Sequence, residues 1–242
     1  MYHPFSVPDI IWTSWYLFKK NFVTIFVFSV ISYIIIGLLE IAIGFFFSAD
    51  AFSGKMFIGL LLIFTQSYTT LGLYKLIFTL IDSEYYEFEF KQILPSFKMI
   101  WSYMAVGFVL AFVITNFAIL LESLEKYPIA YNITKGLGFA IALYLFLRIM
   151  FFITFIVDDQ SRPFESLKQS LLLTKGYLLK TFFILLIILG LVGLPATAAS
   201  YFGFISILLA ITYPLASILL AVAYRKLIYS HQDIDEDLAE TK

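Results

Sequence analysis

The stretch Arg148–Lys180 reads RIMFFITFIVDDQSRPFESLKQSLLLTKGYLLK, and its reading decides how the chain is organised. It begins inside one apolar run and ends at the start of another. Asp158 and Asp159 close the first run. Gln160, Ser161 and Arg162 make a turn, and Pro163 suits the first turn of a helix, where a missing N–H costs little. Phe164, Leu167, Leu171 and Leu172 recur at helical spacing, with Glu165, Lys168 and Gln169 facing away. The pattern predicts a short amphipathic helix over 164–175, lying on a membrane surface with its apolar face down.

The composition sets the class. Of 242 residues, 61% are hydrophobic and only 14% charged, whereas soluble domains carry about a quarter charged residues. So much apolar surface cannot be hidden in one water-soluble core. The chain reads as an all-α polytopic membrane protein. It has no cysteine, which excludes disulfides, thiolate metal sites and a Cys nucleophile. His3 and His231 lie outside every apolar run, so haem or zinc inside the membrane lacks its usual ligands and no cofactor is expected. A net charge of −1 gives no footing for a nucleic-acid partner. Near the N-terminus, Asp9, Trp12 and Trp15 precede Lys19 and Lys20, and no small-residue cleavage site follows. The first apolar run is therefore expected to stay as an anchor.

Taken in order, residues 4–20 read as an interfacial helix. Ser6 is placed to cap it, Asp9 follows three residues later, and Ile11, Trp15 and Phe18 share a face. Six transmembrane spans follow, at about 22–47, 56–81, 99–121, 134–157, 179–194 and 203–228, each close to the length that crosses the hydrocarbon. Pro195 is expected to end or bend the fifth, and Pro214 to kink the sixth. A short loop with Asp50 and Lys55 joins the first two spans, and a polar link from Asp82 to Lys98 joins the next two. Residues 231–242 form an acidic tail, expected to be disordered. Residues 1–230 thus make one membrane domain.

The basic residues orient it. Lys19, Lys20, Lys91, Lys98, Arg162, Lys168, Lys175, Lys180, Arg225, Lys226 and Lys242 fall on the N-terminus, the two long links and the tail. The three short loops hold only Lys55, Lys126 and Lys135. The positive-inside rule then puts both termini and both links in the cytoplasm. The order of cytoplasmic amphipathic helix and then a hairpin of two spans occurs three times. Ser14-Trp15-Tyr16-Leu17-Phe18-Lys19-Lys20 loosely resembles Ser170-Leu171-Leu172-Leu173-Thr174-Lys175-Gly176, and the copy around Phe90–Trp101 is weaker. Lys75-Leu76-Ile77-Phe78, Arg148-Ile149-Met150-Phe151 and Lys226-Leu227-Ile228-Tyr229 form a second echo, each followed by an acid: Asp82, Asp158 and Asp233. A threefold hairpin repeat competes here with the plain abundance of basic and apolar residues at helix ends.

Arg148, Val157-Asp158-Asp159, Pro163-Phe164-Glu165-Ser166-Leu167, Ser170 and Leu173-Thr174-Lys175-Gly176, with Trp15-Tyr16-Leu17-Phe18-Lys19-Lys20-Asn21-Phe22, carry a resemblance. The chain resembles the six-span membrane domain found in some bacterial glycerophosphoryl diester phosphodiesterases and related stand-alone membrane proteins. Ser-Leu stands for that family's usual Ala-Leu, and Leu171 where it often has Trp. The resemblance implies a fold and a location, the bacterial cytoplasmic (inner) membrane. It carries no catalysis, since no phosphodiesterase domain is present.

Four ionisable residues stand out inside the spans. Counting from Asp158, Arg148 is expected about 15 Å below the boundary, where an Arg must pair or snorkel. It either binds an anionic headgroup or bonds helix carbonyls and an acid to fix packing. Lys75 and Lys226 are candidate further contacts of such an anion or lipid-headgroup site, although Lys75 is also within snorkelling reach of the interface. Glu40, near the outer boundary, is either solvated or a carboxylate in a cavity. Asn116 and Gln66 are expected to bond between helices. Asp158 and Asp159 are expected to end span four and meet the next helix's N-terminus. No Walker motif, metal cluster or nucleophile elbow is present. The expected function is non-enzymatic: a scaffold or accessory subunit whose partners are membrane lipids, anionic ones included, or a membrane protein. The alternative is a transporter or lipid-handling protein for an anionic amphiphile, using an inner-leaflet basic cavity. A cleft lined by polar side chains would favour the alternative.

Overall fold

A computed structural model describes residues 5–46, 52–82 and 90–240 of the chain. Among them there is no strand. The helices are α1 (Val7–Lys20), α2 (Phe22–Phe46), α3 (Phe52–Asp82), α4 (Phe90–Ile93), α5 (Phe97–Leu124), α6 (Pro128–Ile149), α7 (Phe152–Asp158), α8 (Pro163–Leu173), α9 (Leu178–Tyr201) and α10 (Leu209–Glu240), with a 3₁₀ turn at Gly203–Leu208. Six segments are long and apolar enough to cross a membrane: Phe22–Ile43, Met56–Asp82, Lys91–Leu124, Pro128–Asp158, Leu178–Tyr201 and Ile205–Ser230. The protein is an all-α, multi-pass membrane protein. Helices are what these sequences can form there, because hydrocarbon offers no water to unpaired backbone groups. Polar residues in the spans mostly turn inward on their own helix, as Ser29 does to the Ile25 carbonyl (2.8 Å) and Ser67 to Ile63 (2.6 Å).

Some boundaries differ from expectation. Span four starts at Pro128, a residue suited to a first turn. Helix α9 continues through Pro195 to Tyr201, and α10 passes through Pro214. Helix α10 also runs on to Glu240, through the segment expected to be disordered. Asp50, the Glu84–Glu89 part of the second link and Lys242 lie outside the described residues.

The largest departure is in span four, which is two helices rather than one. The ladder breaks at Met150 and Phe151, where Phe151 takes φ −91° and ψ 7°. A break inside a membrane protein needs new partners for the freed groups. Helix α8 supplies them. Ser170 Oγ donates to the Arg148 carbonyl (2.9 Å) and accepts the Phe151 N–H (3.2 Å), and Thr174 Oγ1 donates to the same carbonyl (3.3 Å). Helix α8 starts at Pro163 as the sequence suggests, and Gly176, at φ 86°, lets the chain turn into α9.

The packed core sits near one end of the bundle. Phe78 on α3, Phe155 on α7 and Tyr224 on α10 meet at its centre. The Tyr224 ring is edge-on to Phe155 (4.9 Å between centroids) and to Phe78 (5.8 Å). Every side chain from Ile153 to Val157 is buried, as are those from Ala216 to Tyr224. Around this centre the same order recurs three times. Helix α1 packs on α10, α4 on α3 and α8 on α7, and each of the three leads into the next span.

Candidate functional site

Asp9, Asp82, Asp158, Arg225 and Lys226 gather at one end of the bundle, the charged end, formed by α1, the last turns of α3 and α7 and the part of α10 around Arg225. Arg225 is at its centre. Its guanidinium forks onto Asp158, with both Nη atoms 3.0 Å from the carboxylate, and reaches Asp82 at 2.6 Å. The Tyr224 hydroxyl donates to Asp158 at 3.0 Å, and the guanidinium lies 5.0 Å from the Phe78 ring. Thus α3, α7 and α10 are tied at one level by two acids and one base. The bidentate fork is the strong form of such a pair. Lys226 bonds Asp9 on α1, and Lys180 donates to the Phe5 carbonyl at 2.6 Å. Asp159, outside the network, has its carboxyl pushed above the usual range by burial and by the neighbouring Asp158 charge.

The residues singled out from sequence are not brought together. Lys75 donates to the Leu94 carbonyl (2.8 Å) and borders a recess with Asp82, Gln92 and Asp158. Lys226 is in its ion pair with Asp9, on a different face. Glu40 is exposed along α2. Asp158 does end a helix, but it holds Arg225 rather than the start of α8. The second echo is out of register, because the position level with Asp82 and Asp158 is Arg225. Nothing in the sequence sets Arg225 apart, because it sits beside Lys226 near the close of the sixth apolar segment, where basic residues are common. The convergence of two distant acids on it is a tertiary fact. Asn116 bonds the Phe112 carbonyl of its own helix (2.7 Å) rather than another helix.

Arg148 stands alone. It lies in the last turn of α6, ten residues before Asp158, where the fourth apolar segment closes. Its Nε is buried with no hydrogen-bond partner, and among the described residues no acid pairs with it.

Farther from the charged end, the helices part. A cleft of about 350 Å³ opens between α2, α3, α9 and α10, within the size range of ligand pockets. Its polar lining is Ser29, Ser32, Tyr33, Gln66, Thr69, Thr70 and Tyr213, with no charged residue. Tyr213 and Thr70 are 3.4 Å apart, and Ser29 and Thr69 bond carbonyls of their own helices. The side chains of Ser32, Tyr33 and Gln66 bond none of the described residues. Gln66, expected to bond between helices, faces this opening instead.

The fold defines a six-span, all-α membrane protein with an ion network around Arg225 and an uncharged cleft between α2, α3, α9 and α10. No family model, curated protein or solved structure matches the chain. Among the described residues no cluster of His, Cys, Asp or Glu could hold a metal.

Proposed function

We propose that this is a non-enzymatic lipid-binding protein of a bacterial cytoplasmic membrane, acting as a scaffold or accessory subunit, with both termini in the cytoplasm. The Lys/Arg excess on the links and N-terminus supports that orientation. The resemblance to the phosphodiesterase-associated membrane domain belongs to the same reading and implies no reaction. The observation that carries it is Arg148. A guanidinium keeps its charge at any depth and needs acceptors. Here it stands in the last turn of α6, beside the α8 junction, with no acid to pair with among the described residues. A phosphate oxygen of an anionic lipid headgroup meets that need. Around the charged end, Trp12, Trp15, Trp101, Phe164 and Leu172 are exposed, as residues facing a headgroup region would be.

The experiment compares wild type with Arg148→Gln after extraction in mild detergent, using mass spectrometry of bound lipid and a melting curve. The variant is expected to lose anionic lipid and keep its melting temperature. A variant that keeps its lipid but melts earlier would show that the Arg148 side chain is structural and would sink the headgroup site. The cleft favours a second reading, in which the protein handles a lipid inside the membrane. In that reading the basic residues do not form one cavity, since Lys75 and Lys226 are bonded elsewhere.

A further inference from the structure

We infer that the cleft between α2, α3, α9 and α10 is a binding site for an uncharged lipid bearing hydroxyl and ester carbonyl groups, a diacylglycerol-type molecule. This goes beyond the anionic headgroup site at Arg148 and lies elsewhere in the bundle. Along α3, Gln66 is about 15 Å from Met56 and about 14 Å from Lys75, at 1.5 Å per residue. Those ends bracket the thickness of a hydrocarbon layer, so Gln66 sits near its middle. A carboxamide there with nothing to bond is costly. Yet Gln66 is exposed, and it has company: Ser32 and Tyr33 also bond none of the described residues. Two donor hydrogens and an acceptor on Gln66, with two hydroxyls across the opening, form a ready set of partners.

The lining selects the ligand. No Lys, Arg, His, Asp or Glu borders the cleft, so a phosphate drawn to this depth would be an unpaired charge in a dry site. An uncharged glycerolipid brings ester carbonyls to accept from Gln66 and Tyr33, and a hydroxyl to donate to the Gln66 carbonyl. Its acyl chains follow the apolar walls formed by Phe28, Ile36, Leu73, Val192 and Leu209. Pro214, on α10, lies at the same level and leaves the Ala210 carbonyl without its usual donor, a further acceptor beside the cleft.

The test uses the full chain in lipid nanodiscs and a diacylglycerol carrying a photoreactive diazirine in one acyl chain. Adducts are expected on peptides of α2, α3, α9 or α10. Excess unlabelled diacylglycerol should abolish them, and the same excess of phosphatidylglycerol should not. Gln66→Leu should lower labelling by roughly tenfold, the scale of one lost polar pairing. Ala196→Leu, which fills the cleft from the opposite wall, should do the same without touching Gln66. Arg148→Gln should leave labelling unchanged, so the two sites stand or fall separately. Equal competition by phosphatidylglycerol would overturn the inference. So would labelling that survives both cleft variants. If Gln66→Leu instead converted a dimer to a monomer by light scattering, a second copy of the chain would be the occupant, and the inference would fail.

Discussion

At the scale of single residues, the protein depends on where its few charges meet. Arg225 satisfies two carboxylates at once, and both partners of its fork are only about one-fifth exposed. Arg225→Gln leaves Asp158 and Asp82 close together with no cation between them. The expected loss is on the order of 2 kcal/mol, between an exposed pair and a fully buried one. It should appear as a lower melting temperature in detergent. Tyr224→Phe removes one hydroxyl from Asp158 and should cost about 1 kcal/mol, since the fork remains. A double-mutant cycle with Asp158→Asn checks that the effects share one network. Asp159 acts in the opposite sense. Its folded carboxyl titrates above its ordinary value of 3.8. The folded state therefore holds the proton more tightly than the unfolded chain, and this group adds stability as pH falls from the raised value towards 3.8. Asp159→Asn should raise the melting temperature at neutral pH and flatten that part of the pH profile.

At the scale of elements, the junction of α6, α7 and α8 is the informative one. The amphipathic pattern correctly announces a helix after Pro163, but the face that packs on the protein is a different one. Ser166, Ser170, Leu173 and Thr174 are buried, while Phe164 and Leu172 point outward. The same holds for α1, where Ile10, Ser14 and Phe18 face in and Trp12, Trp15 and Tyr16 face out. Small hydroxyl residues lie inward because they pack closely and can serve a broken backbone, as Ser170 does; the large apolar residues are left for lipid. Ser170→Ala strips partners from both the Arg148 carbonyl and the buried Phe151 N–H. It should cost about 1–3 kcal/mol, whereas Lys168→Ala, on the exposed face, should cost little. Thermal melts of the two variants decide this, and equal effects would show that the junction bonds are unimportant. Spans three and four meet differently. The tip of the Phe117 ring packs directly on Gly138, so a side chain there must displace that ring. Gly138→Val should push α5 and α6 apart and lower stability, and Phe117→Ala in the same protein should restore part of the loss.

At the scale of the whole molecule, the absence of cysteine gives a clean background for topology. Cysteines placed singly at Lys126 and Lys168, both exposed, should react with a membrane-impermeant maleimide from opposite sides of the membrane. Labelling of both from one side would reject the six-span arrangement. The threefold order of short helix and hairpin is visible in both sequence and structure. Ser14 and Ser170 are both buried, and each stands eight residues before the start of a span.

Composition, hydropathy and residue spacing were enough to establish the class, the six spans, the short helix after Pro163 and the excess of Lys and Arg on the long links over the short loops. These follow from the sequence because each is a local property: apolar length set against hydrocarbon thickness, and the conformational limits of proline and glycine. Three features required the tertiary structure. The break in span four carries no Pro or Gly at Met150–Phe151, and it persists because α8, twenty residues on, takes over the bonds. The Arg225 network joins residues 82, 158 and 225, whose convergence no local pattern encodes. The cleft exists because helices packed tightly at the charged end separate beyond it, leaving Gln66 facing an opening rather than a neighbouring helix. A side chain's bonding needs can be read from its type, but whether they are met depends on which distant helices arrive beside it.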